Sequence, residues 1–106
     1  MIRIAVAEDN QLLAKSLEEK VSFFSELKLK HIANNGQALI DWLETDSNIE
    51  VILMDIQMPV MEGIEATEII KRKYPHIKVI MLTVFDDDEN IYRAFMAGAN
   101  GYLLKD

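Results

Sequence analysis

The sequence contains no cysteine, which excludes both a disulfide framework and a thiolate metal site. Its apolar runs are far shorter than the roughly 20 residues needed to cross a bilayer, so no membrane contact is expected. Met1 leads directly into a strand-like segment that lacks the cleavage pattern of a signal peptide. Together these absences predict a cytoplasmic protein.

Basic residues are scarce relative to acidic ones: 11 against 18, for a net charge of −7. This balance is a poor match for the phosphates of nucleic acid and suits a cation or a basic protein surface better. Half of the 106 residues are hydrophobic, which is enough for a sheet covered on two sides. The length predicts one domain with one core, over residues 1–106.

Short apolar runs alternate with segments of helical periodicity along the whole chain. This alternation predicts an α/β fold with a parallel sheet between helical layers and right-handed crossovers. Residues 51–54 of the central strand are all apolar, as expected for a strand buried on both faces. The predicted strands cover residues 2–7, 27–33, 50–54, 78–82 and 101–104, and the helices include residues 11–24, 64–73 and a segment opened by residues 86–89.

Four of the predicted strands end at polar side chains. Glu8 and Asp9 follow the first strand, Asp55 the central strand, Thr83 the fourth and Lys105 the fifth. Each residue alone has an ordinary explanation, as a helix cap, a turn residue or a solvated lysine. Because the carboxyl ends of parallel strands share one edge of the sheet, these side chains are expected to meet there.

Three crowded carboxylates repel one another and call for a neutralising cation. Oxygen ligands without cysteine or a helical histidine pair favour a hard divalent ion, above all Mg²⁺. The hydroxyl of Thr83 and the ammonium of Lys105 are suited to the remaining oxygens of a phosphoryl group. The sequence therefore predicts phosphoryl transfer with Asp55 as the nucleophile.

Over its whole length the chain resembles the receiver domain of bacterial two-component response regulators. Residues 82–106 look most like receivers that precede a helix-turn-helix domain of the LuxR/NarL type. The resemblance implies a flavodoxin-like (CheY-like), doubly wound sheet of five parallel strands in the order 2-1-3-4-5, here without the final helix. The matching segments are Glu8-Asp9, residues 55–63, Leu82-Thr83 and residues 101–105.

The resemblance also implies roles for the three acidic residues at the strand ends and for Gln57. Asp55 would accept a phosphoryl group from a phosphohistidine of a sensor histidine kinase. Asp9 would bind Mg²⁺ directly, Glu8 would act mostly through water, and Gln57 would offer its backbone carbonyl. Glu8 departs from the commoner aspartate, but the pattern tolerates the longer side chain. The positions linked to the lifetime of the phosphorylated state are Gln57 and Phe85.

The same resemblance implies roles for three further residues, of which Thr83 and Tyr102 form the switch. Thr83 would hydrogen-bond the acyl phosphate and Lys105 would pair with it. Tyr102 matches the aromatic position whose ring moves inward when Thr83 moves. The chain is expected to catalyse its own phosphorylation and dephosphorylation and not to be a conventional turnover enzyme.

The implied output is control of transcription by a DNA-binding domain beyond residue 106, with a homodimer or a neighbouring copy as a further partner. The alternative is a stand-alone receiver that signals through protein contacts without DNA binding. Two unrelated functions fit poorly. A haloacid-dehalogenase-type phosphatase needs a second aspartate where Gln57 stands, and a nucleotide-binding domain needs a glycine-rich loop where Glu8-Asp9-Asn10 stands.

The helical layers are expected to be unequal. Right-handed crossovers place the helix of residues 11–24 on one face and the other three helices on the opposite face. Strands three to five would then expose apolar side chains, at a cost on the order of 5–9 kcal/mol if three large residues are bare. We therefore expect the 106 residues to be a fragment of a longer natural chain, with this patch covered by further residues or by a neighbouring copy.

Overall fold

Five parallel strands in the order β2-β1-β3-β4-β5 form the sheet in the computed structural model, which describes residues 1–84 and 87–105. The order and the parallel pairing confirm the predicted fold. The strands are β1 (Ile2–Ala7), β2 (Leu27–Ala33), β3 (Val51–Met54), β4 (Lys78–Thr83) and β5 (Gly101–Leu104). The helices are α1 (Gln11–Ser22), α2 (Gly36–Thr45), α3 (Gly63–Lys73) and α4 (Asp88–Met96).

Local side-chain chemistry fixes where the helices begin and end. Asn10 caps α1, and α1 ends two residues earlier than predicted because its last turn tightens. There the N–H of Phe23 donates to the carbonyl oxygen of Lys20 at 3.2 Å. Asp87 caps α4 by accepting from the N–H of Asn90 at 2.9 Å. Asp86, predicted to form a capping box with Glu89, lies outside the described residues.

The larger part of the core lies between the sheet and helices α2, α3 and α4. It contains alternate residues of β3 and β4, among them Ile52, Met54, Val79 and Met81, packed against buried residues of these helices. Helix α1 packs on the other face, with its closest contacts to β2. In the described ranges, no helix is both long and apolar enough to span a bilayer.

The face that carries α1 is covered incompletely over β3 to β5. Leu53, Ile80 and Leu82 are only half-buried, and Leu103, paired with Leu82 in the sheet, is 55% exposed. This partial exposure is what the unequal helical layers lead one to expect. Whether the natural chain continues with a helix and a DNA-binding domain stays a prediction.

Val60, in the loop between β3 and α3, has a backbone conformation that valine rarely adopts. Its φ is +68°, and its side chain is 82% exposed, so packing does not compensate for the strain. Asparagine tolerates this region of φ much better. We therefore expect Val60→Asn to raise the free energy of unfolding in urea by about 1 kcal/mol.

Val84→Asn is the matched control, because Val84 is also an exposed valine (67%) and is not among the residues with positive φ. This variant should change the stability by less than about 0.5 kcal/mol. Equal effects of the two substitutions would show that polarity, and not relief of backbone strain, is what stabilises the protein.

Candidate functional site

The register of β1 and β3 brings the acidic residues together. Ala7 is paired with Met54, and the N–H of Asp55 donates to the carbonyl oxygen of Ala7 at 3.0 Å. The next residues, Glu8 and Asp55, therefore emerge side by side at the carboxyl edge of the sheet. Carboxylate oxygens of Glu8, Asp9 and Asp55 all lie within 4.8 Å of one another.

Lys105 reaches this cluster from the end of β5. Its Nζ lies 2.5 Å from Oε1 of Glu8 and 3.3 Å from Oδ2 of Asp55. Its backbone N–H donates to the carbonyl oxygen of Thr83 at 2.7 Å, which continues the ladder of β4 and β5 by one residue. The ammonium group therefore bridges two buried carboxylates, and in this arrangement Glu8 is its nearer partner.

The electrostatic balance differs for the two members of the Lys105–Asp55 pair. Burial raises the pKa of Asp55, and the charge of Glu8 adds to this, so that together they outweigh the opposing effect of Lys105. Burial lowers the pKa of Lys105, but the hydrogen bond that its Nζ donates to Glu8 and the charges of Asp55 and Glu8 reverse this into a net increase. Lys105 therefore stays protonated, while the Asp55 carboxylate retains a cost of burial.

A cavity of about 250 Å³ opens above the cluster. Thr83 is fully buried and is not among the described residues of the cavity wall, although its neighbour Val84 is. Tyr102 is half-buried on β5 and packs against the core. The wall contains Glu8, Asp9, Asn10, Leu13, Asp55, Gln57, Val84 and Lys105.

The loop after β3 is held close to Asp55. Oδ1 of Asp55 accepts the N–H of Ile56 at 2.8 Å, and the N–H of Gly63 donates to the carbonyl oxygen of Ile56 at 2.6 Å. A Cβ on Gly63 would lie 1.8 Å from the carbonyl oxygen of Asp55. The position therefore requires glycine for this close approach of two backbones.

The donor set of the cluster fits a hard divalent cation. Its ligand atoms are carboxylate oxygens, which is the chemistry that Mg²⁺ prefers. Glu8, Asp9 and Asp55 are opposed by the one ammonium of Lys105 in the described wall, so the cavity keeps an excess of negative charge. Asp9 is exposed and Gln57 lines the same cavity, which leaves room for water ligands.

Several features of the site were not apparent from the sequence. The pairing of Glu8 with Lys105 joins residues 97 positions apart, and no local pattern indicates it. Either Asp9 or Asn10 suits the cap of the first helix by residue type, but no sequence signal indicates that the N–H of Asn10 also donates to Oε2 of Glu8 at 3.1 Å and so orients that carboxylate. Nothing near Gly63 in the sequence indicates that the structure uses it for close backbone approach to Asp55.

Comparison with known proteins gives a consistent result. Residues 4–106 match the response regulator receiver domain family. Among curated relatives, the transcriptional regulatory protein LnrK of Bacillus subtilis is 38% identical over 106 residues, which is all of this chain and 48% of LnrK. The chain thus spans about half the length of the curated relatives it matches, and these are named as transcriptional regulatory proteins.

Solved structures agree with this result. A DNA-binding response regulator of the LuxR family from Staphylococcus aureus superposes with a TM-score of 0.91 at 26% identity, covering 98% of this chain and 86% of that one. The beryllofluoride-activated DrrB receiver domain gives 0.83 at 31% identity, covering 99% and 85%. The chain therefore belongs to the response regulator receiver domain family.

Proposed function

We propose that Asp55 is the phosphoacceptor of this receiver and that it takes its phosphoryl group from a sensor histidine kinase in the cytoplasm. The observation that carries the proposal is the meeting of Asp55, Glu8, Asp9 and Lys105 at one end of the sheet. A buried carboxylate beside an ammonium and two further carboxylates is arranged for phosphoryl transfer and not for structural capping.

The reaction follows from the two oxygens of Asp55. Oδ1 accepts the N–H of Ile56, and Oδ2 lies 3.3 Å from Nζ of Lys105. Oδ2 would act as the nucleophilic atom, with Lys105 turning from it to the incoming phosphoryl group. Oδ2 forms a bond to phosphorus while the bond from phosphorus to the histidine nitrogen breaks, and the electron pair stays on that nitrogen, which takes up a proton. The acyl phosphate is later hydrolysed by water, which restores the carboxylate. Such a receiver assists its own phosphorylation and is not a turnover enzyme.

The surrounding residues would balance charge during the transfer. Asp9, Asp55 and the Gln57 carbonyl would hold Mg²⁺, with Glu8 acting through water, and the ion would supply positive charge for the phosphoryl oxygens. Lys105 would shift from Glu8 toward the new phosphate. Both effects place fixed positive charge where negative charge accumulates.

Acetyl phosphate tests the reaction and its metal requirement. Intact-mass spectrometry should show one added phosphoryl group with Mg²⁺ present and none after chelation with EDTA. Asp9→Ala should weaken Mg²⁺ binding in isothermal titration calorimetry by at least about tenfold, because a direct ligand is lost. Phosphorylation that is unchanged in EDTA would contradict the metal requirement.

Thr83 and Tyr102 would connect the acceptor to a partner surface. We propose that the Thr83 hydroxyl moves toward the phosphoryl group and that Tyr102 fills the vacated space, which reshapes the surface of α4 and β5. Thr83→Ala should accept phosphate from acetyl phosphate but lose phosphorylation-dependent association, as measured by sedimentation velocity. Thr83→Ser, which keeps the hydroxyl, is the control. Association that survives in Thr83→Ala would exclude this route.

The output that we propose is control of transcription through a DNA-binding domain of the same protein. Support comes from relatives such as LnrK, a transcriptional regulatory protein roughly twice as long as this chain. The second candidate, a stand-alone receiver acting through protein contacts alone, has no such support. The sequence that follows residue 106 in the natural gene distinguishes the two.

A further inference from the structure

An open groove of about 360 Å³ runs between α3 and α4. Its α3 wall carries three carboxylates at every third position, Glu62, Glu65 and Glu68, with Ile64 beside them. Its α4 wall carries Tyr92, Arg93, Met96 and Ala97. We call this surface the α3–α4 groove. It shares none of these residues with the cavity above Asp55.

Two large apolar side chains of the α4 wall are open to solvent. Tyr92 is 66% exposed and Met96 is 69% exposed. The two residues are four positions apart on one helix, so their side chains lie next to each other along the groove. Large exposed apolar side chains grouped along a groove mark a binding surface more often than isolated ones do.

The three carboxylates of the α3 wall differ in their hydrogen-bond and ion-pair partners. Glu62 caps α3 by accepting the N–H groups of Ile64 and Glu65. Glu68 pairs with the exposed Arg72 at 3.3 Å. Among the described residues, the Glu65 carboxylate has no hydrogen bond or ion pair, and Arg93 is the one cation of the groove lining. The groove therefore combines an α3 wall with three carboxylates and an α4 wall with two exposed apolar side chains and one cation.

This combination selects the chemistry of the occupant. The net charge of −7 repels a second copy of the chain from an acidic surface, and nucleic acid is repelled for the same reason. Its walls are helices of 11 and 9 residues, which at 1.5 Å per residue give a length of roughly 14–16 Å. That length accommodates two to three turns of a third helix.

We propose that the α3–α4 groove is a docking site for an amphipathic helix of a partner protein. The partner helix places its apolar stripe on Tyr92 and Met96. It presents Lys or Arg residues one turn apart to Glu65 and Glu68, which are themselves one turn apart on α3. Docking goes beyond phosphoryl transfer, since the groove is present in the unphosphorylated chain.

A synthetic helix tests the site directly. The probe is a fluorescein-labelled 16-residue peptide with leucines at helical positions i, i+3, i+4 and i+7 and lysines flanking that stripe. Fluorescence anisotropy should detect saturable binding to the chain. A peptide of scrambled order and identical composition should bind at least about tenfold more weakly, because it lacks the apolar stripe. Equal binding of the scrambled peptide would overturn the proposal.

Paired charge variants locate the binding. Glu65→Gln combined with Glu68→Gln should weaken binding of the peptide about fivefold, as expected for the loss of two exposed ion pairs. Glu18→Gln combined with Glu19→Gln makes the same charge change on exposed positions of α1 and should have much less effect. Equal weakening by the two pairs would show nonspecific attraction to an acidic chain and would overturn the proposal.

Two further tests address the apolar contact at Met96 and the possibility that a second copy of the chain occupies the groove. Met96→Ala should weaken binding of the peptide about tenfold. In heteronuclear NMR, the peptide should shift the amide resonances of Ile64 and Ala97 of the wild-type chain. Sedimentation of the chain alone should show a monomer. A dimer abolished by the Glu65 and Glu68 variants would make a second copy the occupant and overturn the partner proposed here. All groove variants should still accept phosphate from acetyl phosphate, which separates this proposal from that for Asp55.

Discussion

Asp55→Asn should reduce phosphorylation by acetyl phosphate to background and at the same time make the protein more stable. The first effect follows because the amide lacks the nucleophilic oxygen, and mass spectrometry reads it directly. The second follows because burial raises the pKa of Asp55, so the ionised carboxylate costs stability at neutral pH. In this variant, asparagine keeps the oxygen that accepts the Ile56 N–H, and Lys105 keeps its ion pair with Glu8.

The gain in stability should depend on pH in a defined direction. With a folded-state pKa above 3.8, the folded protein binds more protons at Asp55 than the unfolded chain does in the interval between the two values. The contribution of Asp55 to the free energy of unfolding therefore falls as pH rises through this interval. Above the interval, the full cost of burying the ionised carboxylate is present. The melting temperature of Asp55→Asn should exceed that of the wild type most at pH 7 and least near pH 4.

Asp41→Asn is the matched control because Asp41 is exposed on α2 and is not among the described residues that line the cavity above Asp55. It should change neither phosphorylation nor stability by more than about 0.5 kcal/mol. Two results would contradict the assignment of Asp55. One is undiminished phosphorylation of Asp55→Asn, and the other is a loss of phosphorylation accompanied by a lower melting temperature, which would indicate a damaged fold.

The sheet was predictable because four of its five strands are short, largely apolar runs that end at polar residues. Val51 to Met54 followed by Asp55 fixes both a buried strand and the end of that strand. The helix starts were partly predictable as well, since Asn10 and Asn35 cap α1 and α2 through their side chains. These signals depend only on residues near one another in the chain, which is why they can be read without coordinates.

The parts that escaped prediction depend on distances between backbones or between distant residues. The sequence places Glu8 and Lys105 at the same edge of the sheet, but only coordinates show that they pair at 2.5 Å. Val60 carries no local sign of a positive φ, because valine is an improbable residue there. The need for glycine at position 63 likewise comes from another segment, the backbone of Asp55.

Gly63→Ala should be the most damaging substitution of a single methyl group in the loop after β3. The added Cβ would lie 1.8 Å from the carbonyl oxygen of Asp55 and 2.8 Å from its carbonyl carbon. Both are backbone atoms, so no side-chain rotation relieves the overlap, and the loop must move away from β3. We expect a loss of roughly 3 kcal/mol in the free energy of unfolding in urea.

The same displacement should remove phosphorylation in the molecules that still fold. The hydrogen bond from the Gly63 N–H to the Ile56 carbonyl, at 2.6 Å, holds the segment whose own N–H orients the Asp55 carboxylate. Gly101→Ala is the matched control, since a Cβ there would meet Ile80 at 3.6 and 3.7 Å, an ordinary contact distance. That variant should keep phosphorylation and be neutral or slightly more stable, because alanine lowers the entropy of the unfolded chain. If Gly63→Ala instead matches Gly101→Ala in both measurements, close packing of the loop against β3 does not position Asp55.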